Sequence, residues 1–266
     1  MIKIAAAYKA FLHEKRLDTF AAWSRHFFPE GLPVKNRVHV RKMQLVGRDG
    51  KEIEVYFKQY EHKRPSWRFW GRPSKARCEY RNYGVFQNLG IPGATPVAFG
   101  EERDMLGRLA RAFIVTRAVP DSVTLVEFFE RDLPGFSRVE QRKIRAELIR
   151  QLAAITKVLH QASFYHGDLV WRNVLVTGAP DLAPKLWLID CPRGKYVHWT
   201  FLQRRGQKRD LGSLDKLASR WCSRKERAQF LKLYLDQSRL DEEARVLIRE
   251  VRAYSKRRWP DDWIDD

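Results

Sequence analysis

The sequence predicts an α+β protein in two lobes, a small antiparallel-sheet lobe with one key helix followed by a mainly helical lobe. Three observations carry that expectation. Short alternating runs between Val38 and Tyr60 mark a sheet lobe over residues 1–117 with an N-terminal helical extension, long amphipathic runs mark residues 118–266, and an octapeptide at 166–173, His-Gly-Asp-Leu-Val-Trp-Arg-Asn, sits between a helix and a hairpin. At 266 residues, with 44% hydrophobic and 31% charged side chains, the chain has ample material for a packed core and is not of disordered composition.

From the N-terminus, residues 1–27 read as mildly amphipathic helix, and Pro29-Glu-Gly-Leu-Pro33 breaks it. Val38 to Val46 alternates as a half-buried strand, with Val38 and Val40 on one phase and His39 and Arg41 on the other. Gly47-Arg-Asp-Gly50 turns the chain, and Ile53, Val55 and Phe57 mark the apolar phase of the returning strand. Lys58 lies on the opposite phase. A helix over 74–89 carries Glu79, and residues 112–118 form a buried strand. Val119-Pro-Asp-Ser-Val-Thr124 is the connector to the second lobe. There, Ile144, Leu148, Leu152, Ile155 and Leu159 recur at spacings of four, four, three and four, which predicts a helix over 138–161. Val174–Val176 and Leu186–Ile189 form a hairpin around the turn from Gly178 to Pro184, and the second strand ends in Asp190. An amphipathic helix follows from Lys225, and an acidic cluster closes the chain at Asp266.

The octapeptide and Asp190 supply a base and two oxygen ligands from one short stretch. Phosphoryl transfer needs a carboxylate at the attacking hydroxyl and oxygen ligands for the Mg2+ that accompanies ATP. Asp168 suits the base, Asn173 five residues on suits one metal contact, and Asp190 suits a metal bridge to the β- and γ-phosphates. A Lys58–Glu79 pair would then hold an ammonium for the α- and β-phosphates. Against this, a lone H-x-D is a weak signal, since loop Asp residues are mostly turn formers, and a single strand Lys is mostly solvated. The order helix, loop, strand, turn, strand, Asp is what raises the octapeptide above that background.

Composition narrows the partners. The formal net charge is +19, which draws a chain to polyanions: nucleic acid, an anionic membrane surface or an acidic substrate. Residues 62–77 carry six Lys or Arg and no acid, interleaved with Trp67, Phe69 and Trp70; residues 191–209 carry Arg193, Lys195, Arg204, Arg205, Lys208 and Arg209, again with no acid. Cations beside aromatic rings suit a membrane interface. The same composition stacks nucleic-acid bases, and it also arises from aromatics tucked onto a lobe among solvated charges. Cys78, Cys191 and Cys222 are widely separated, odd in number and without zinc spacing, which predicts reduced thiols and no structural metal. The N-terminal residues lack a signal-peptide core, and no run approaches the roughly 18 apolar residues of a membrane span.

Taken together these residues resemble the protein-kinase-like superfamily and, within it, the lipopolysaccharide kinase (Kdo/WaaP, InaA-like) family, which phosphorylates Kdo and heptose sugars. The matching stretches are Val-Tyr-Phe-Lys58, Ala-Arg-Cys-Glu79-Tyr-Arg, the segment Leu89 to Gly100, Phe-Ile-Val-Thr116, the octapeptide, and Leu-Ile-Asp190, over roughly residues 35–220. The resemblance implies a two-lobed protein-kinase-like fold that uses ATP and Mg2+. It implies an anionic glycolipid acceptor, the lipopolysaccharide core, met at the inner face of the inner membrane. Nucleic acid is not favoured as a partner, and no obligate protein partner is implied. The His-Gly-Asp tripeptide also occurs in aminoglycoside and choline kinases, so it does not choose among these families.

The departures from the superfamily pattern are informative. No G-x-G-x-x-G loop precedes Lys58; only Gly31, Gly47 and Gly50 are available, or backbone amides of the 37–48 region. Cys191-Pro192 follows Asp190 where regulated protein kinases have Phe-Gly. Val170 replaces the lysine many protein kinases carry two residues after the catalytic Asp, and Arg172 is the candidate replacement cation, as in loops reading D-L-x-x-R-N. Asp210 reads as a helix N-cap by local sequence; the resemblance implies instead a brace for the catalytic loop backbone.

Overall fold

The structure is a computed structural model that describes residues 1–27, 38–47, 50, 52–179 and 183–260, with backbone alone at 26–27 and 62–66. The breaker at 29–33, most of the 37–48 amide region's flanks, the middle of the 178–184 turn and the acidic cluster at 261–266 lie outside the described residues. The chain forms two compact units, Met1–Val85 with Ala94–Val119, and Phe86–Gly93 with Pro120–Asp266.

The first unit is a five-stranded antiparallel sheet. Its strands are β1 (Ile2–Ile4), β2 (Val38–Val46), β3 (Glu52–Ser66), β4 (Pro96–Arg103) and β5 (Leu109–Arg117), in the order β1-β4-β5-β3-β2. The expected helix over 1–27 is corrected: Ile2–Ile4 pairs with Ala98–Gly100, and two short helices follow, α1 (Lys9–Glu14) and α2 (Phe20–Phe27). Leu12, Leu17 and Trp23 from this region pack with Ile53, Val55, Phe57, Phe113 and Val115. Trp23 stacks on Phe57 at 5.8 Å and donates its indole N–H to the Leu17 carbonyl at 2.6 Å, so its one polar atom is satisfied in the core.

The phase expected for β2 is also corrected. Val38 and Val40 are exposed while Leu45 is buried and Met43 packs on the core. Register explains this: Met43 and Leu45 lie opposite Val55 and Ile53, whereas Val38 and Val40 lie opposite Tyr60 and Lys58 on the other face. That other face of β3 meets α3 (Lys75–Asn88), which brings Glu79 to the phase of Lys58 and Tyr60.

In the second unit, the connector ends in β6 (Val123–Thr124), which pairs with β8 (Val174–Thr177), and β8 pairs with β9 (Lys185–Leu188). A short helix α4 (Leu125–Glu127) follows β6, and Thr124 caps it reciprocally with Glu127. Helix α5 spans Arg138–Gln161, capped by Ser137 with Glu140, and buries Ile144, Leu148, Leu152, Ile155 and Leu159 as the spacing predicts. Strand β7 (Phe164–Tyr165) pairs with β10 (Lys195–Tyr196). Helices α6 (Thr200–Trp221), α7 (Arg224–Leu235) and α8 (Glu242–Arg258) complete the unit, with Ala153, Leu211, Tyr234, Leu247 and Val251 as their shared core. Helix α6 begins ten residues before Asp210, so the N-cap reading of that residue is overturned. The three cysteines are free thiols. Among the described residues, no helix is long and apolar enough to cross a membrane.

Candidate active site

In the first unit, Lys58 Nζ lies 3.3 Å from Glu79 Oε2, so the pair anticipated from strand phase and helix position forms. Glu79 is buried, and its carboxylate also accepts the phenol hydrogens of Tyr60 at 3.0 Å and Tyr83 at 3.1 Å. A buried carboxylate is tolerated when its lone pairs are filled and a cation is adjacent. Here both conditions hold, so the ammonium is held at a fixed place on the sheet.

In the second unit, the octapeptide runs from the end of β7 into β8. Asp210, fully buried in mid-helix, accepts the backbone amides of His166 at 2.7 Å and Gly167 at 2.8 Å. That brace is what the resemblance implied. His160 Nε2 lies 3.5 Å from the same carboxylate, and its Nδ1 is 2.8 Å from the Tyr234 hydroxyl. The His166 ring is buried and stacks on Phe86 at 5.9 Å. Burial pushes its pKa down, against the pull of the Asp210, Asp190 and Asp168 carboxylates, so the ring is neutral.

The backbone of the turn itself calls for glycine at Gly167. Its φ is +79°, and a Cβ there would lie 2.6 Å from Arg209 Nη2 and 3.1 Å from the Arg193 carbonyl oxygen. Only glycine fits that turn, and Arg209 from α6 brings a guanidinium to the place a side chain would take.

Past Gly167 the loop presents Asp168, partly exposed, whose carboxylate has no hydrogen-bond partner among the described residues. The Asn173 side-chain amide donates to the Asp168 carbonyl at 2.9 Å, which turns the Asn173 side-chain oxygen away from that bond as an acceptor. The Asn173 carbonyl accepts the Ile189 amide at 2.9 Å, tying the loop to the residue before Asp190. Asp190 has φ 55°, a left-handed conformation rare for a residue other than glycine and often held at functional sites. Between these groups Trp171 is buried, donates to the Leu214 carbonyl at 2.8 Å and meets Phe129 edge-on at 4.9 Å. That anchor leaves its neighbour Arg172 exposed, with no ion pair among the described residues.

The donor set fits Mg2+ carried by phosphates. An amide oxygen and a carboxylate are hard ligands, and two protein contacts are what magnesium uses when phosphate oxygens and water fill the rest. Among the described residues no group of three or more His, Cys, Asp or Glu is placed to hold a metal by itself.

The basic segment after Asp190 divides. Arg204 and Lys208 are committed to Glu250, at 2.8 and 3.6 Å. Arg193, Lys195 and Arg205 are exposed. Sequence reasoning counted all of these as one patch, because Glu250 is distant in sequence and only the packing of α8 on α6 brings it near. The second unit also holds an apolar cavity of about 230 Å3 lined by Leu148, Leu152, Trp171, Leu214 and Leu247, with Arg145 and Arg227 among its polar members. Cys222 lines it too, and burial pushes that thiol up to about 11. Nothing local in the sequence marks this cavity, since its lining is drawn from helices α4 to α8, strand β9 and the loop at Trp171.

Comparison with known proteins completes the description. No curated protein sequence matches this chain. A solved structure described as WaaP in complex with acyl carrier protein superposes with a TM-score of 0.69 at 20% identity, over 99% of this chain and 100% of that one. The Drosophila melanogaster PAN3 pseudokinase aligns at a TM-score of 0.45 and 15% identity over 84% of this chain and 59% of that one, too remote to carry an argument. The fold is therefore the two-lobed α+β protein-kinase-like fold expected from the sequence. The profile of the Lipopolysaccharide kinase (Kdo/WaaP) family matches residues 41–234, a span that takes in Lys58, Glu79, the octapeptide and Asp190. The chain belongs to the lipopolysaccharide kinase (Kdo/WaaP) family.

Proposed function

We propose that this protein transfers the γ-phosphate of ATP to a sugar hydroxyl, Kdo or heptose, of the lipopolysaccharide inner core. The observation that carries the proposal is the braced loop: Asp210 fixes the His166 and Gly167 amides, and the next residue, Asp168, presents an unengaged carboxylate. Lys58, positioned by Glu79, would bind the α- and β-phosphates, and Asn173 and Asp190 would hold Mg2+. The bound Mg2+ neutralises charge on the phosphates during transfer. Asp168 takes the proton of the acceptor hydroxyl as its oxygen bonds to the γ-phosphorus, and the bond to the bridging oxygen breaks to release ADP. Arg172, exposed and in no ion pair among the described residues, is assigned to the transferring phosphoryl group or to an anion on the acceptor.

An anionic acceptor is favoured by charge. Arg193, Lys195 and Arg205, close after Asp190 in the chain, are exposed and in no ion pair among the described residues, where a cationic acceptor would instead call for carboxylates. The same basic character, with Trp67 and Trp70 exposed, supports a protein peripheral to the anionic inner face of the inner membrane. RNA remains the disfavoured partner, and RNA-stimulated ATP turnover would reverse that ranking.

The test is mass spectrometry of lipid A–core from cells lacking the chain, restored with wild type or Asp168→Ala. Loss of phosphate-sized increments, recovered only by wild type, supports the reading; an unchanged core ends it. In vitro, Asp168→Ala abolishes turnover and Arg172→Ala lowers it. Unchanged turnover in Arg172→Ala removes that residue's role.

One observation favours adding a protein partner to a chain for which no obligate one was implied. The structural neighbour was solved with acyl carrier protein, and an apolar cavity is suited to an acyl chain delivered by such a carrier. Co-purification of acyl carrier protein with this chain, lost on Leu148→Arg, is the result expected.

A further inference from the structure

The hairpin between β4 and β5 breaks the usual chemistry of turns. Gly107 N–H donates to the Asp104 carbonyl at 2.9 Å, and Gly107 takes φ 75°. The Asp104 carboxylate accepts the amides of Leu106 at 3.1 Å and Arg108 at 2.9 Å, and Arg108 Nε at 2.7 Å. The tip is thus tightly held. Its two central residues are nevertheless Met105 and Leu106, where Gly, Pro, Asn, Asp and Ser dominate. Neither is packed: Met105 is 103% exposed and Leu106 57%.

The tip is joined to a second exposed apolar group. Trp70 donates its indole N–H to the Leu106 carbonyl at 3.2 Å, and Trp67 lies 6.4 Å from Trp70, the two being 59% and 61% exposed. Arg103 locks the hairpin to this turn, donating to the carbonyls of Phe69 at 2.9 Å, Gly107 at 3.0 Å and Arg72 at 2.8 Å. Beside the tryptophans an open pocket is lined by Arg72, Arg77, Arg81 and Arg103. The acids nearby are already engaged: Glu101 accepts the Ser74 amide and lies within 4 Å of Arg77 and Arg103, and Asp104 is paired with Arg108. Arg72 and Arg81 are exposed and in no ion pair among the described residues.

We infer that this face is a lipid-docking site in which Met105, Leu106, Trp67 and Trp70 enter the membrane interface while Arg72 and Arg81 bind the phosphate of an anionic phospholipid headgroup. The inference rests on the reading of the protein as membrane-peripheral and deepens it by naming the device. Unpacked apolar side chains beside Arg72 and Arg81, two exposed cations in no ion pair among the described residues, match the two layers of that interface, acyl chains beneath and phosphates above. Nucleic acid fits less well. Base stacking needs open ring faces, and Arg108 lies over the Trp67 ring at 5.3 Å, while Met105 and Leu106 offer nothing to a base.

The test is sedimentation of the full chain with phosphatidylcholine vesicles, with and without phosphatidylglycerol, for wild type, Met105→Ser/Leu106→Ser and Arg72→Glu/Arg81→Glu. All four positions are exposed, and equal melting temperatures verify that the variants fold. The expected result is salt-sensitive binding of wild type to the anionic vesicles, weakened about tenfold or more by each double variant. ATP turnover on detergent-dispersed acceptor should be unchanged in both. Wild type and variants binding the anionic vesicles equally overturns this site but leaves the peripheral reading standing. Wild type failing to bind any vesicle overturns both. Variants that lose RNA binding while keeping vesicle binding overturn the choice of occupant.

Discussion

Asp210 accepts the Gly167 amide at 2.8 Å across 43 positions of sequence, with the His166 amide on its second oxygen. Helix α6 and the loop before β8 are thereby one rigid piece. The carboxylate is fully buried, so the two charge-assisted bonds offset its desolvation. Asp210→Ala leaves two buried amides unpaired and is expected to destabilise the fold by about 3–5 kcal/mol. Asp210→Asn keeps the shape and one acceptor, and is expected to cost about 1–3 kcal/mol. Urea melts read both values, and turnover should fall in the same order because Asp168 is the next residue of the braced loop.

The Lys58–Glu79 pair is asymmetric, and its two halves should fail differently. Glu79 also holds the hydroxyls of Tyr60 and Tyr83. Lys58→Met leaves that carboxylate with two donors, so stability should change by only about 1 kcal/mol while nucleotide turnover is lost. Glu79→Ala leaves a largely buried ammonium and two phenols without their acceptor, and should cost about 3–5 kcal/mol. A double-mutant cycle on denaturation midpoints separates the pair's own energy from that of the phenols. Equal losses for the two single variants would contradict this asymmetry.

What was legible in the sequence follows from how local its cause is. Helix α5 is set by a five-residue apolar stripe and a capping box, and its bounds match the expectation of 138–161. Lys58 could be placed because Ile53, Val55 and Phe57 fix the phase of β3. Strand β2 was misphased because it is an edge strand whose valines are not its buried residues; only pairing with β3 selects Met43 and Leu45. Strand β1 is three residues long, too short for any period to show. Asp210 looked like a helix cap because the basic run before it resembled a loop, whereas Gly206 and the run 204–209 are inside α6, where Gly206 lets Tyr165 approach. The tip at Met105 and Leu106 carried a readable signal, two large apolar residues between Asp104 and Gly107.

Gly167 should tolerate no side chain. Its φ of +79° strains any L residue by about 1–2 kcal/mol, and the added Cβ meets the Arg193 carbonyl, which belongs to backbone and yields little. The Arg193 Cβ lies equally near at 3.1 Å, whereas the nearest atom, Arg209 Nη2, is the far end of a flexible side chain. Gly167→Ala is therefore expected to lower stability by about 2–3 kcal/mol. Arg209→Ala should recover only the smaller part of that loss in the double variant. Thermal melts of the two single variants and the double give the coupling, and full recovery would show that the guanidinium rather than the backbone sets the glycine requirement.

His166 makes stability fall on the acid side. Burial holds its folded pKa below the ordinary imidazole value of about 6.5, which favours the neutral ring in the folded protein. The unfolded chain takes up a proton near pH 6.5, and below that point it binds one proton more than the folded state. The stabilisation is thus full above pH 6.5 and is lost as pH falls toward the folded pKa, at up to about 1.4 kcal/mol per pH unit for this one group. His166→Phe keeps an aromatic ring to stack on Phe86 and removes the proton. Urea denaturation between pH 7.5 and 5.5 should therefore give a shallower loss for the variant, by up to one proton in the slope (pH values chosen to span roughly one unit either side of 6.5). Parallel slopes would mean that the folded ring takes up its proton alongside the unfolded chain, with the Asp210, Asp190 and Asp168 carboxylates balancing burial.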